Sequence, residues 1–174
     1  AVIHCDVKPD NLFVIEQAGE PALKILDFGV AKARSLATAR AGGVTGSETN
    51  VFTPSYASPE QWVPQRFGQT GPWTDVYAFA LSILELILGR PPIEGEMHVM
   101  LAAALDEHRR PTPRTLGIDV GERAERAFAQ AVVVHPQSRT QSIEAFWSEL
   151  ERSLGVTPSL IRGPSSLLGP TPID

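Results

Sequence analysis

The stretch His4-Cys5-Asp6-Val7-Lys8-Pro9-Asp10-Asn11 decides how the rest of the chain is read. Pro9 fixes its own φ and has no N–H, so the backbone turns there instead of continuing as strand or helix. Asp6, Lys8 and Asn11 can then converge on one side of a tight loop. Downstream lie two short apolar runs, Asn11 to Ile15 and Leu23 to Leu26, separated by Gln17-Ala18-Gly19-Glu20-Pro21. Strand formers flanking a connection with Gly and Pro predict a small β-hairpin. A second carboxylate follows the second run, in Leu26-Asp27-Phe28-Gly29. The hairpin therefore carries an acidic residue at the mouth of each strand.

A carboxylate, an ammonium and a side-chain amide grouped this way suit phosphoryl transfer. The carboxylate orients a hydroxyl nucleophile, and the ammonium neutralises a phosphate oxygen. The amide oxygen and the second carboxylate are hard ligands for Mg²⁺. Each residue alone is uninformative, and their joint spacing carries the signal.

Beyond the hairpin, Lys32 to Val51 shows no apolar period and is rich in Ser, Thr and Gly. A loop this long inside a compact domain is usually functional or disordered. From Thr74 the pattern becomes helical. Val76, Phe79, Ala80, Ile83, Leu84, Ile87 and Leu88 share one face, and Tyr77, Leu81 and Leu86 make the other faces apolar too. Such a helix is expected to be buried and central. Gly89 and Pro91-Pro92 end it. Further helices are predicted over Met97 to Leu105, over Glu122 to Val133, and after the N-cap Ser142. The last would turn Ile143, Phe146, Trp147, Leu150 and Leu154 inward. Residues 155–174 are rich in Pro and Gly without any period and read as a linker or tail.

Composition narrows the function classes. With 14 Gly and 15 Pro among 174 residues, the chain lies below the roughly 25–30% that marks low-complexity disorder. A net charge of −5 argues against the basic stripe of a nucleic-acid binder, so no nucleic-acid partner is expected. One cysteine excludes an internal disulfide framework and a multi-Cys zinc site. The chain begins at Ala1 and shows no signal-peptide pattern. Its longest apolar stretch, Val76 to Leu88, is interrupted by Ser82 and Glu85 and is too short to span a bilayer. The expectation is a cytoplasmic location, with membrane contact only through sequence beyond Asp174.

His4-x-Asp6-x-Lys8-x-x-Asn11, then Asp27-Phe28-Gly29, then Ser58-Pro59-Glu60 resemble the catalytic-loop, metal-binding and activation-segment-end motifs of protein kinases. Lys8, two residues after Asp6, is the serine/threonine version. Thr53-Pro54-Ser55-Tyr56 is similar to the peptide-positioning loop, and Asp75 and Arg139 match two further family positions. The resemblance runs from about Val2 to Leu154, and its style is similar to bacterial, eukaryotic-like serine/threonine kinases. It implies a mainly α fold with a small β-hairpin: the helical C-terminal lobe of a protein-kinase-like domain over residues 1–154, without its N-terminal lobe, and a tail over 155–174.

The resemblance also implies roles. Asp6 would orient the substrate hydroxyl and Lys8 would steady the transferred phosphoryl, contacting ATP. Asn11 and Asp27 would hold Mg²⁺. His4 would pack near Phe28, with Gly29 completing that motif. Thr53 would hydrogen-bond in the catalytic loop, Glu60 would pair with Arg139, and Asp75 would brace the catalytic-loop backbone. The partners implied are ATP, a protein substrate presenting Ser or Thr, and the missing N-terminal lobe.

Several positions depart from the family pattern. Cys5 stands where many kinases have an Arg that receives an activation-loop phosphate, a contact that cysteine cannot make. Thr38, Thr45, Ser47 and Thr49 remain candidate phosphosites. Phe52 replaces the Gly that usually precedes Thr53, Ser58 replaces Ala, and Tyr77 and Ala80 replace Trp and Gly. No Gly-rich loop or upstream Lys–Glu pair is present. The chain alone is therefore expected to be inactive and to expose an apolar patch where its central helix lacks a neighbour. The alternative is an inactive kinase-like interaction module that binds peptides through Thr53 to Glu60. A small-molecule phosphotransferase is disfavoured by Phe28-Gly29 and Ser58-Pro59-Glu60.

Overall fold

The computed structural model describes residues 3–17, 20–26 and 52–155. Asp27, Phe28, Gly29, Thr38, Thr45, Ser47, Thr49 and the tail beyond Gly155 lie outside the described residues. A single 3₁₀ turn, Pro9–Asn11, leads into the antiparallel strands β1 (Leu12–Gln17) and β2 (Glu20–Ile25). The register pairs Leu12 with Ile25 and Gln17 with Glu20, so the ladder is longer than the apolar runs suggested. Pro21 sits inside it, opposite Glu16, which is tolerated because each strand of a two-stranded sheet has a free edge. Asn11 belongs to the turn and not to the strand. The Leu26 N–H donates to the Asn11 carbonyl at 2.9 Å, closing the hairpin at its base.

Among the described residues six α-helices follow: α1 (Pro59–Trp62), α2 (Pro64–Phe67), α3 (Pro72–Leu88), α4 (Met97–Leu105), α5 (Glu122–Ala131) and α6 (Ile143–Ser153). The first three begin with proline, whose fixed φ suits the first helical position and whose missing N–H would be unbonded there anyway. This moves the start of α3 from the expected Thr74 back to Pro72. Gly89 ends α3 with φ 73°, a left-handed conformation that costs glycine nothing and side-chain-bearing residues about 1–2 kcal/mol.

Helix α3 runs through the core. Val76, Ala80, Leu81 and Leu84 are wholly inaccessible, and Tyr77 and Phe79 nearly so. Helices α5 and α6 pack on it through a chain of aromatic edges. Phe146 lies 6.2 Å from Phe79 at 90° and 5.3 Å from Phe128 at 78° between ring planes, geometries favoured by the ring quadrupoles. The Ser142 Oγ accepts the Ala145 N–H at 3.2 Å and caps α6. Leu154 departs from the expected inward face: α6 stops at Ser153, and Leu154 is 72% exposed. Likewise α5 ends at Ala131, short of Val133.

Burial of α3 is complete only as far as Leu84. Leu86 and Ile87 are exposed at its C-terminal end, and Phe13, Val14, Leu23 and Leu26 are exposed on the hairpin. No described helix is long and apolar enough to cross a membrane.

Candidate active site

The turn at residues 4–11 is anchored from below by α3. The Asp75 carboxylate accepts the His4 N–H through Oδ2 and the Cys5 N–H through Oδ1, both at 2.8 Å. Asp75 is buried near the start of α3. Burial pushes its carboxyl up from the usual range, and the two backbone donors pull it back. Above this anchor Cys5 adopts φ 64°, the one left-handed non-glycine among the described residues. A buried carboxylate holding two consecutive N–H groups supplies what offsets that strain. The Cys5 carbonyl in turn accepts Gln61 Nε2 at 2.8 Å, tying the turn to α1.

His4 bridges the turn to the end of the hairpin. Its Nδ1 accepts the Asp6 N–H at 3.3 Å, which leaves Nε2 to donate to the Leu26 carbonyl at 2.9 Å. Next to Leu26 in sequence is Asp27. The Asn11 Nδ2 donates to the Asp6 carbonyl at 3.0 Å. With the amide nitrogen committed, its oxygen is turned to the other side, free to act as a hard ligand.

Asp6, Lys8 and Thr53 form a closed triangle. The Thr53 N–H donates to Asp6 Oδ1 at 2.9 Å, and Lys8 Nζ donates to Thr53 Oγ1 at 3.0 Å. Lys8 Nζ also lies 3.3 Å from Asp6 Oδ2. Both side chains keep some exposure, 11% for Asp6 and 23% for Lys8, so a reactant can reach them. The triangle joins residues more than forty positions apart and leaves the Asp6 carboxylate in one orientation.

The segment from Thr53 to Trp62 is fixed at its far end by a buried ion pair. Arg139 Nη1 meets Glu60 Oε1 at 2.8 Å and Nη2 meets Oε2 at 3.0 Å, with neither side chain exposed. The remaining guanidinium donors go to the carbonyls of Trp73, Val133 and Val134. Thr74 Oγ1 adds a bond to Glu60 at 2.7 Å, and the guanidinium lies over the Tyr77 ring at 5.0 Å. Every strong donor is satisfied, the condition under which a buried pair is tolerated.

Some members of this assembly were not singled out by the sequence reading. Gln61 and Thr74 are two: each sits beside a motif residue, and Ser58 with Gln61 has the spacing of a helix-capping box, in which the Ser58 N–H reaches Gln61 Oε1 at 3.1 Å. Tyr56, which the sequence places in the Thr53–Tyr56 loop, adds a contact that no motif foretells, its hydroxyl donating to Glu85 on α3. Burial, then the bond and charge of Glu85, then Asp10 and Asp6 raise its phenol above the ordinary value.

Among the described residues no three His, Cys, Asp or Glu side chains come together to hold a metal. The donor chemistry fits nonetheless: Asn11 offers one oriented amide oxygen, and its backbone is bonded to Leu26, one residue before Asp27. Mg²⁺ is commonly held by one or two protein oxygens, with phosphate and water completing the shell.

A helical body with one hairpin, bearing a carboxylate turn braced by a buried helix, is the architecture of the larger lobe of protein kinases. Comparison with known proteins agrees: the protein kinase domain family matches residues 1–143, and the chain belongs to that family. It is 34% identical over 185 residues to the serine/threonine-protein kinase pkn3 of Myxococcus xanthus, covering 98% of this chain and 32% of that protein. It is 28% identical over 150 residues to the serine/threonine-protein kinase PrkC of Bacillus subtilis, covering 86% of this chain and 22% of that one. Similarity extends to the tyrosine-protein kinase MasK of Myxococcus xanthus, 32% identical over 154 residues, 88% of this chain and 22% of that protein. Among solved structures, the apo form of PpkA-294 superposes with a TM-score of 0.55 at 26% identity, covering 86% of this chain and 46% of that one. The chain is thus homologous to bacterial serine/threonine kinases and spans about half the length of the solved kinase chains it matches.

Proposed function

We propose that the protein containing this chain transfers the γ-phosphoryl of ATP to Ser or Thr hydroxyls of a protein substrate, with these residues forming the phosphoacceptor side of the site. The observation that carries the reading is the Asp6–Lys8–Thr53 triangle. Asp6 accepts or orients the proton of the incoming hydroxyl, and Lys8, held between Asp6 and Thr53, faces the transferred phosphoryl with its charge. Asn11 and Asp27 are the residues that would hold Mg²⁺, which when bound with ATP neutralises charge on the phosphates. His4 and Asp75 keep the turn in shape, and the Glu60–Arg139 pair holds the peptide-facing segment against it. Catalysis of this kind rests on positioning and charge neutralisation.

Lys8 supports the choice of acceptor. Its ammonium bridges Asp6 and Thr53 beside the carboxylate, and a lysine two residues after the catalytic-loop Asp is the serine/threonine version of the motif that the chain resembles. The upper side of a nucleotide site is not supplied by the described residues, and residues 1–174 alone are proposed to transfer no phosphate. Residues 1–154 are taken as the lobe and 155–174 as a linker.

The test uses the gene product carrying this chain with its own flanking sequence. It is incubated with radiolabelled Mg·ATP and a generic basic protein, followed by phosphoamino-acid separation. Label on Ser and Thr, dependent on divalent cation, is the expected result. Label on Tyr alone would overturn the acceptor assignment. The absence of any transfer would favour the peptide-binding module instead.

A further inference from the structure

The carboxylate triangle is approached from its N-terminal side by Phe52, which lies 5.2 Å from Trp62 with the rings at 69°, edge to face. Trp62 is the last residue of α1, and α1 is bolted down by the Glu60–Arg139 pair and by Gln61 on the Cys5 carbonyl. Trp62 is therefore carried on a fixed element. Its indole N–H is buried and finds no acceptor among the described residues, so its role here is played by the ring face and edge. Phe52 lines the tight space around Asp6 with Cys5, Val7, Thr53 and Tyr56, and the next residue, Thr53, is the one that bonds Asp6.

We propose that the Phe52–Trp62 pair is a positioning device that holds the Thr53 N–H on Asp6 Oδ1. The proposal rests on the phosphoryl-transfer reading for its consequence, though not for its geometry. Without a side chain at position 52 the backbone before Thr53 would sample many more conformations. The ring contact removes that freedom by docking onto α1, and the orientation of the Asp6 carboxylate is fixed through Thr53. Both rings are argued to act through Thr53 and are therefore positioning residues.

Two readouts test this. In the 174-residue chain, amide hydrogen exchange of Thr53 should speed up by roughly two- to tenfold in Phe52→Gly and in Trp62→Ala, the range an edge-to-face pair supplies. Core amides such as Leu81 should not change. Phe52→Tyr and Trp62→Phe, which keep a ring in place, should restore slow exchange. In the gene product with its flanking sequence, Phe52→Gly should lower kcat by a similar factor with the KM for ATP unchanged. Unaltered Thr53 exchange, or Thr53 and Leu81 speeding up together, would overturn the proposal, since the pair would then be packing only. Local loosening at Thr53 in a protein that transfers no phosphate would support the device and overturn the catalytic reading instead.

Discussion

Replacing Glu60 by Gln tests how the segment from Thr53 to Trp62 is held. The change is nearly isosteric, so packing is conserved while charge and one acceptor are lost. Arg139 keeps its carbonyl partners Trp73, Val133 and Val134, but its guanidinium stays buried without a counter-charge, and one Nη–H now faces an amide N–H. Breaking a buried pair from one side costs about 3–5 kcal/mol. At about 2–4 °C per kcal/mol for a domain of this size, the thermal midpoint should fall by roughly 6–20 °C. Thermal melts and urea titrations followed by circular dichroism measure this directly. The double variant Glu60→Leu/Arg139→Met should recover part of the loss, because removing both charges also removes their desolvation cost, while the Val133 and Val134 carbonyls lose their guanidinium donor. Raising salt to 1 M shortens the screening length to about 3 Å, yet should not reproduce the effect, since both groups are shielded from solvent. Arg123→Met, at the exposed pair with Glu149, should leave the midpoint nearly unchanged. A Glu60→Gln loss below about 1 kcal/mol, the level of a surface pair, would mean that this ion pair does not hold the segment.

Asp75→Ala removes the acceptor of two buried N–H groups. It should cost about 2–6 kcal/mol in urea denaturation, at about 1–3 per orphaned donor, and speed exchange at His4 and Cys5; a loss below about 1 kcal/mol would mean the turn is held elsewhere. The chain has two tyrosines, and burial raises both phenols above the ordinary 10.0. Because the folded values exceed the unfolded one, the associated stability is present below about pH 10 and lost as pH rises beyond it. Absorbance at 295 nm should then change only together with alkaline unfolding, and a phenol titrating near 10 with circular dichroism intact would contradict this. In Gly71→Ala the new methyl would overlap the Trp73 indole, which must move at a cost of about 1–3 kcal/mol; an unchanged melt and tryptophan emission would show that the ring yields freely.

The parts of the fold that could be read in advance are those with a repeat. Helices α3 to α6 show their apolar residues at helical spacing, and the hairpin shows two strand-forming runs about a breaker. Helices α1 and α2 have only four residues each, little more than one turn, so no period can reveal them. Leu154 continued the α6 pattern in sequence although Gly155 and the end of the helix leave it in solvent. The site divides in the same way. Asp6, Lys8 and Asn11 lie within one turn, and their convergence follows from Pro9. Glu60 and Arg139 are 79 residues apart, and only a family resemblance could pair them. The left-handed Cys5 was not legible at all: cysteine has no preference for that conformation, and the Asp75 carboxylate that enforces it comes from α3. The same holds for Tyr56–Glu85 and Phe52–Trp62, contacts of ordinary-looking residues that tertiary packing alone creates.

The proposed role of the Asp6 carboxylate, aimed by Thr53 and paired with Lys8, is to drive phosphoryl transfer. Steady-state kinetics of the gene product with its flanking sequence, comparing wild type with Asp6→Asn, tests it most directly. The account predicts that kcat falls by about 10²–10⁴, the usual contribution of a positioned proton acceptor, with the KM for ATP little changed. An Asp6→Asn enzyme that keeps its kcat would mean that this carboxylate takes no part in the transfer.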